Sequence, residues 1–286
     1  WRRESIANIQ ITLAEGIGVG TRGDFYDRTG ALRDMVQNHA LQLLTMIAME
    51  PPPTGGADAL RDEKLKVLKS LKPFTPESVA RDVVRGQYKA GTVDGKAVPG
   101  YLDEAKVQPD SRCETFVALR TEVQNWRWAG VPFYLRTGKR LAGRDAHIVV
   151  NFRGVPHPIF PGANRANKLV IKLQPEDGLE LHLMAAKGSG PGELLAPVSL
   201  DLDFDKAFSS ERVGGYERLL LDAIAGRLNL FVRSDEQEQA WRWVEPVLDA
   251  WDTDPSGPRP YAACSWGPAA ASALIARDGC AWAEEQ

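Results

Sequence analysis

Apolar and polar positions alternate at the head of the chain. Ile9, Ile11 and Leu13 are separated by Gln10 and Thr12, the two-residue period of a strand that ends near Glu15. The period then lengthens. Leu32, Met35/Val36, Leu43 and Ile47 recur at helical spacing, and Pro51-Pro52-Pro53 stops the run, so a helix is predicted from about residue 31 to Glu50. Asp58–Lys72 is charged and amphipathic. Thr75 caps a further helix with Pro76 at its first position, predicted to run to about Gln87. Gly91, Gly95, Pro99 and Gly100 make residues 88–112 read as a long loop.

From Thr115 the pattern changes again. Thr115–Gln124, Pro132–Thr137, His147–Phe152, Lys168–Gln174, Leu179–Ala185 and Val198–Phe204 are short runs rich in Val, Ile, Leu and Phe, separated by Gly, Pro or Asp. With no helix between them, they predict a mainly antiparallel meander rather than βαβ units. Helices return at Tyr216–Ala225 and at Asp235–Trp251, the second opened by Ser234 with Gln237 as a capping box. The expected fold class is α+β: one large, mainly antiparallel sheet with helices packed on one face. A sheet left open on the other face predicts a homodimer through it, or a dimer of dimers.

Composition narrows the function classes. Lys and Arg number 35 against 38 Asp and Glu, a net charge of −3, which argues against a broad basic face for nucleic acid. No apolar run reaches the length of a membrane span and nothing resembles a signal peptide, so a cytoplasmic protein without a membrane partner is expected. Three scattered cysteines, four histidines and no CxxC pair support neither a disulfide framework nor a metal site. Trp1-Arg2-Arg3-Glu4 leads almost directly into the first strand, and the natural start is expected upstream.

Three stretches carry candidate chemistry. His39 lies on or beside the apolar stripe of its helix, where desolvation suits either a proton-abstracting base or a satisfied core histidine. Gly18-Val19-Gly20-Thr21-Arg22-Gly23 matches a dinucleotide fingerprint in letters only. Asp24 to Gly30 are expected to delay the helix, and residue 43, where the ribose-binding acid belongs, is a helical Leu. A flexible loop is the expectation there. Arg136, Lys139, Arg140 and Arg144, with Gly138 and Gly143, form either a cationic loop suited to a phosphate monoester or a solvated hairpin. His147, His157 and His182 read as sheet or solvent residues. Trp126, Trp128, Trp241 and Trp243 read as core or interface.

Taken together, Glu15, the GTRGDFYD stretch from Gly20, RDMVQNH ending at His39, PFYLRTGK ending at Lys139, KLVIKLQP from Lys168, YERLLLDAIAG from Tyr216, FVRSDEQEQAW from Phe231 and SWGP from Ser265 resemble glucose-6-phosphate dehydrogenases, in the family's order from Ile9 to Trp282. The resemblance implies that residues 1–286 are the C-terminal β+α domain, with the N-terminal Rossmann coenzyme domain and its RIDHYLGK segment absent from this chain. It further implies an NADP-dependent oxidoreductase that converts glucose 6-phosphate to 6-phosphoglucono-δ-lactone, the oxidative entry to the pentose phosphate pathway. By the same resemblance His39 is the general base, Glu15 and Asp34 hold sugar hydroxyls, and Lys139 and Arg144 contact the substrate. Asp145, Glu180 and His182 stand where some members bind a second, structural NADP through basic and aromatic residues, so that site is not expected. The main NADP site is expected in the absent domain, which leaves this stretch inactive alone. The rival reading is a non-catalytic module that only binds sugar phosphate or oligomerises.

Overall fold

The computed structural model describes residues 1–93, 95–157, 166–186, 195–208 and 214–285. Strand β1 (Ile6–Ala14) leads through a 3-10 turn into α1 (Gly23–Ala31), a π-helical stretch (Leu32–Ala40) and α2 (Leu41–Ala48). Next come α3 (Ala57–Lys69), α4 (Pro76–Asp82), β2 (Val83–Lys89) and the small pair β3 (Gly91–Val93) and β4 (Lys96–Val98). The run of strands is β5 (Phe116–Glu122), β6 (Pro132–Gly138), β7 (Asp145–Phe152), β8 (Lys168–Gln174), β9 (Gly178–Ala186) and β10 (Leu195–Asp203). The chain closes with α5 (Phe204–Phe208), α6 (Gly215–Ile224), α7 (Ser234–Thr253), β11 (Arg259–Ala262) and α8 (Ala269–Ala276).

Nine strands form one sheet in the order β10-β9-β8-β7-β1-β6-β5-β2-β11. Only β1 with β6 and β2 with β11 pair in parallel, so the expected α+β class and its mainly antiparallel sheet are found. The uninterrupted meander is not: β1 inserts between β6 and β7 and splits it. The residues of β1 alternate between apolar and polar, yet both faces are covered, with Asn8, Gln10 and Thr12 at most 5% exposed. Local pattern reports which residues share a face, not what covers that face.

The two sets of alternate residues build two cores. Val117 and Leu119 of β5, Phe133 and Leu135 of β6, and Ile9, Ile11 and Leu13 of β1 pack under the π-helical stretch, α2, α3 and α7. Phe116, Ala118 and Tyr134 point the other way and meet Leu274 and Ile275 of α8, Tyr261 and Trp282. Helices therefore dominate one face, while α8 and the C-terminal tail cover the reverse of the central strands. The tail is held by the polar row of β1. The Gln10 amide donates to the Ala281 carbonyl at 2.9 Å and accepts from the Ala283 N–H at 3.1 Å. Trp282, fully buried, donates its indole N–H to the Ala271 carbonyl and lies 4.3 Å beneath the Arg136 guanidinium.

Beyond β7 the helix layer thins. Opposed residues Val150, Leu169, Leu181 and Leu200 continue one apolar row outward, and Val198, Leu200 and Leu202 on β10 are 43%, 62% and 45% exposed. The reverse of the same strands is ionic: Lys172 pairs with Glu180, which also accepts from His182 at 3.1 Å. The open apolar surface thus lies on the helix side of the outer strands, not on the opposite face as the sequence suggested.

Three boundaries differ from expectation for local reasons. Helix α4 stops at Asp82 because β-branched Val83 and Val84 start β2, and the loop that follows contains β3 and β4. Helix α7 starts at Ser234, with the Glu236 carboxylate accepting the Arg233 N–H at 3.0 Å, one residue before the predicted box. Trp126 is 96% exposed, whereas Trp128 is fully buried and Trp243 4% exposed.

The tail contacts make a strong stability claim. Trp282→Ala is expected to cost about 3–5 kcal/mol, as for a large aromatic removed from a packed core. Urea unfolding measures it, and a loss under 1 kcal/mol would mean that the tail is not part of the core.

Candidate functional site

The parallel register of β1 and β6 sets the first contact. Ala14 stands opposite Gly138, so the next residues out of each strand, Glu15 and Lys139, emerge side by side. The Glu15 N–H donates to the Gly138 carbonyl, and the Leu141 N–H donates to the Glu15 carbonyl, both at 3.0 Å, which fixes the two strand ends together. The Lys139 ammonium then lies 2.6 Å from the Glu15 carboxylate. Lys139 is only 2% exposed, and its charge sits 4.9 Å over the Tyr26 ring. Its carbonyl is pinned as well, accepting the Tyr261 hydroxyl at 2.6 Å.

The second wall is the π-helical stretch. The Leu41 N–H reaches the Val36 carbonyl five residues back, the bond that widens a helix to about 4.4 residues per turn. This turn count changes where His39 points. At 100° per residue, seven residues from Leu32 bring His39 back to the core stripe; at about 82° they carry it well away. Met35, His39 and Leu43, spaced by four, accordingly line a cavity of about 700 Å³. His39 is exposed there rather than desolvated, which corrects the expected core placement.

Glu15 and Arg144 line the same cavity, with the Arg144 guanidinium donating to the Gln174 side chain at 3.1 Å. Glu15, His39 and Arg144 are thus brought together, and Lys139 joins them through Glu15. Asp34 is half-buried and not on the cavity wall; its charge raises the Tyr26 phenol further, after burial and Glu114. The cationic stretch does not act as one loop. Arg136 is buried on the reverse face, bound to Glu284, and Arg140 turns to Glu104 at 3.4 Å.

The start of the His39 segment is set by Gly30, which sequence reading placed only in a loop, and by Glu114, which it passed over. Gly30 adopts φ +70°, and a Cβ there would meet a Glu114 carboxylate oxygen at 2.4 Å. Glu114 accepts the Leu32 N–H at 2.9 Å and, by its own carbonyl, the Ala31 N–H at 3.0 Å. A carboxylate placed just before an apolar strand run was the available signal. Tyr26 and Tyr261 gave none beyond being aromatic.

The G-x-G-x-x-G stretch behaves differently from the sequence argument. Helix α1 does begin at Gly23, so a late helix start is not what excludes a dinucleotide. Close packing at two of its three glycines argues against one. A Cβ at Gly18 would meet Glu104 at 2.4 Å, and one at Gly23 the Ala105 carbonyl at 2.1 Å. Gly18 and Gly23 are pressed against protein, and Gly20, at φ +56°, faces open space, so two of the three glycines lack the clear approach the fingerprint needs. On the reverse face Asp145, His147 and Glu284 cluster, with one imidazole nitrogen 3.0 Å from Asp145 and the other 3.3 Å from Glu284. Each imidazole nitrogen faces its own carboxylate, an arrangement that suits a pair of hydrogen bonds better than a convergent metal site.

Fold and cavity together define an α+β domain in which strand ends and the π-helical stretch surround one cavity with a carboxylate, a histidine and a cation, a second cation being held on the carboxylate. The profile of the glucose-6-phosphate dehydrogenase C-terminal domain matches residues 1–283, and the chain belongs to that family. It is 51% identical to the glucose-6-phosphate 1-dehydrogenase of Rhizobium meliloti and 50% identical to that of Mycolicibacterium smegmatis, over 99% of this chain and 58% and 57% of those proteins. The chain therefore spans somewhat over half the length of these relatives. A crystal structure of the Mycobacterium avium enzyme superposes with a TM-score of 0.82 at 41% identity. A glucose-6-phosphate dehydrogenase in complex with glucose 6-phosphate superposes at 0.89 and 34%; in both, 99% of this chain and 57% of the other are covered.

Burial pushes the Glu114 carboxyl above the ordinary glutamate range, partly offset by the Leu32 N–H. The folded chain then holds this proton to higher pH than the unfolded chain does. The stability it contributes is complete below about pH 4.3, the value for a free glutamate, and is lost as pH rises through the folded value. Glu114→Gln keeps an acceptor and removes the titration. Its stability relative to wild type should rise with pH across that window in urea melts, and a flat difference would contradict the assignment.

Proposed function

We propose that the protein containing this chain oxidises glucose 6-phosphate to 6-phosphoglucono-δ-lactone with NADP, the oxidative entry to the pentose phosphate pathway, in the cytoplasm. The observation that carries this reading is the convergence of Glu15, His39 and Arg144 on one cavity, with Lys139 bound to Glu15, in a chain of this family. Among the described residues no helix is long and apolar enough to cross a membrane. NADP is the proposed hydride acceptor, and its pyrophosphate is not assigned to the glycine stretch of this chain, where Gly18 and Gly23 are packed against protein.

The chain's own residues divide the work on the sugar. His39 presents its imidazole to the cavity and takes the C1 hydroxyl proton as hydride leaves the same carbon. Glu15 accepts sugar hydroxyls, each oxygen from two directions, and so fixes the ring's rotation. Asp34, one residue before Met35 of the wall, is the second carboxylate of this set and reaches a hydroxyl once the sugar is bound. Arg144, the cation open to the cavity, takes the phosphate in bidentate fashion, while Lys139 contributes from behind Glu15.

In the whole enzyme, His39→Asn should lower kcat at least about a hundredfold with little change in KM for glucose 6-phosphate. A near-normal kcat would return His39 to a structural role. Arg144→Ala should weaken the phosphate ester by about 1.5–3 kcal/mol in kcat/KM while leaving unphosphorylated glucose unaffected. Equal losses on both substrates would remove Arg144 from the phosphate.

The same reading includes a homodimer through the sheet, or a dimer of dimers. Its support is the exposed row Val198, Leu200 and Leu202 on β10. Leu200→Asp should turn a dimer into a monomer at micromolar concentration in sedimentation, and a wild-type monomer would overturn the dimer.

A further inference from the structure

The geometry assigns Tyr26 a role in substrate binding: it is a positioning residue that acts through Lys139 on Glu15. The inference rests on the sugar-phosphate reading of the cavity. Lys139 is too enclosed to serve as an open phosphate-binding cation, at 2% exposure, and its ammonium already lies 2.6 Å from Glu15. Glu15, in contrast, is half-buried and reaches the cavity. The ion pair therefore reads as a support for the carboxylate, with its free oxygen left for a sugar hydroxyl.

An ammonium enclosed in protein needs more than one partner to stay charged and in place. Tyr26 supplies the second partner, its ring face 4.9 Å from the Lys139 nitrogen. Such a contact is attractive through the negative face of the ring and gains strength where water is excluded. The ring is itself immobile. Tyr26 is 3% exposed, its carbonyl accepts the Cys113 thiol, and Tyr101 packs edge-on at 6.3 Å between ring centres. Among the described residues its hydroxyl makes no hydrogen bond, so the ring face and not the hydroxyl is the functional part. The order of action is Tyr26 ring, Lys139 ammonium, Glu15 carboxylate, sugar hydroxyl.

The reading separates Tyr26 from an ordinary core residue by three measurements on the whole enzyme. Tyr26→Phe keeps the ring face and should leave KM for glucose 6-phosphate within about twofold of wild type. Tyr26→Leu, or Tyr26→Met where a bulkier replacement is needed for folding, should raise KM roughly tenfold with kcat changed far less. In a Glu15→Gln background the same change at Tyr26 should add less than about twofold, because its target is gone. A KM unchanged in Tyr26→Leu and Tyr26→Met, or losses that multiply with Glu15→Gln, would overturn the role of Tyr26. If Glu15→Gln and Lys139→Met themselves leave KM unchanged, the failure lies with the sugar-phosphate reading instead. A rise in KM for those two with none for Tyr26 leaves that reading intact and removes only this inference.

Discussion

The placement of β1 between β6 and β7 is the constraint on which the rest of the molecule depends. A strand covered on both faces must satisfy every backbone group through its neighbours, and β1 does so with one parallel and one antiparallel partner. Its apolar residues hold the π-helical stretch, α2 and α7 on one side, and its polar residues hold the C-terminal tail on the other. Its last register pair sets Glu15 beside Lys139. The cavity is thus an outcome of strand order before it is an outcome of any side chain. A slip of one residue between β1 and β6 would face Glu15 away from the lysine and bury the wrong set of β1 residues at once.

The reverse face shows how a polar row is made tolerable inside a protein. Asn8 accepts from Asn151 at 2.8 Å, and Gln10 is satisfied by the backbone on either side of Trp282. Arg136, stacked on Trp282 and bound to Glu284, continues the row on β6. Buried polar groups cost little when each finds a partner and cost a great deal when it does not. The tail supplies the partners of Gln10 and one of those of Arg136, whose Nε and Nη1 stay buried without a hydrogen bond, and the cavity-side strands are braced from behind by residues more than 260 positions away in sequence, Gln10 against Ala283 among them.

Much of this was legible in the chain. The short Val, Ile, Leu and Phe runs from Thr115 to Phe204 are strands, and the helices near 31–50, 215–224 and 234–253 are where the pattern put them, while α3 (Ala57–Lys69) reads in the sequence only as a charged, amphipathic stretch. Glu15, Lys139, Arg144 and His39 do converge around one cavity. What escaped has physical reasons. Alternation in β1 identifies two faces but says nothing of the tail that covers the polar one. Residues at 32, 36, 40 and 44 satisfy a wide helical turn nearly as well as an ordinary one, so the π geometry, and with it the exposure of His39, left no distinct mark. Tyr26 sits in a stretch whose glycines drew attention to the backbone, while its ring acts on a residue more than a hundred positions later.

The π-helical stretch has a consequence for how the cavity wall can vary. Side-chain changes along Leu32–Ala40 alter packing locally, but a gain or loss of one residue rotates everything beyond it by about a quarter turn. Glu114 fixes the near end at Leu32, and the packed Leu41 and Leu44 fix the far end. Between two fixed ends the number of residues decides the winding, and the winding decides where His39 faces. The direction of the histidine is therefore written in a length, nine residues from Leu32 to Ala40, and not in the identity of any residue between them.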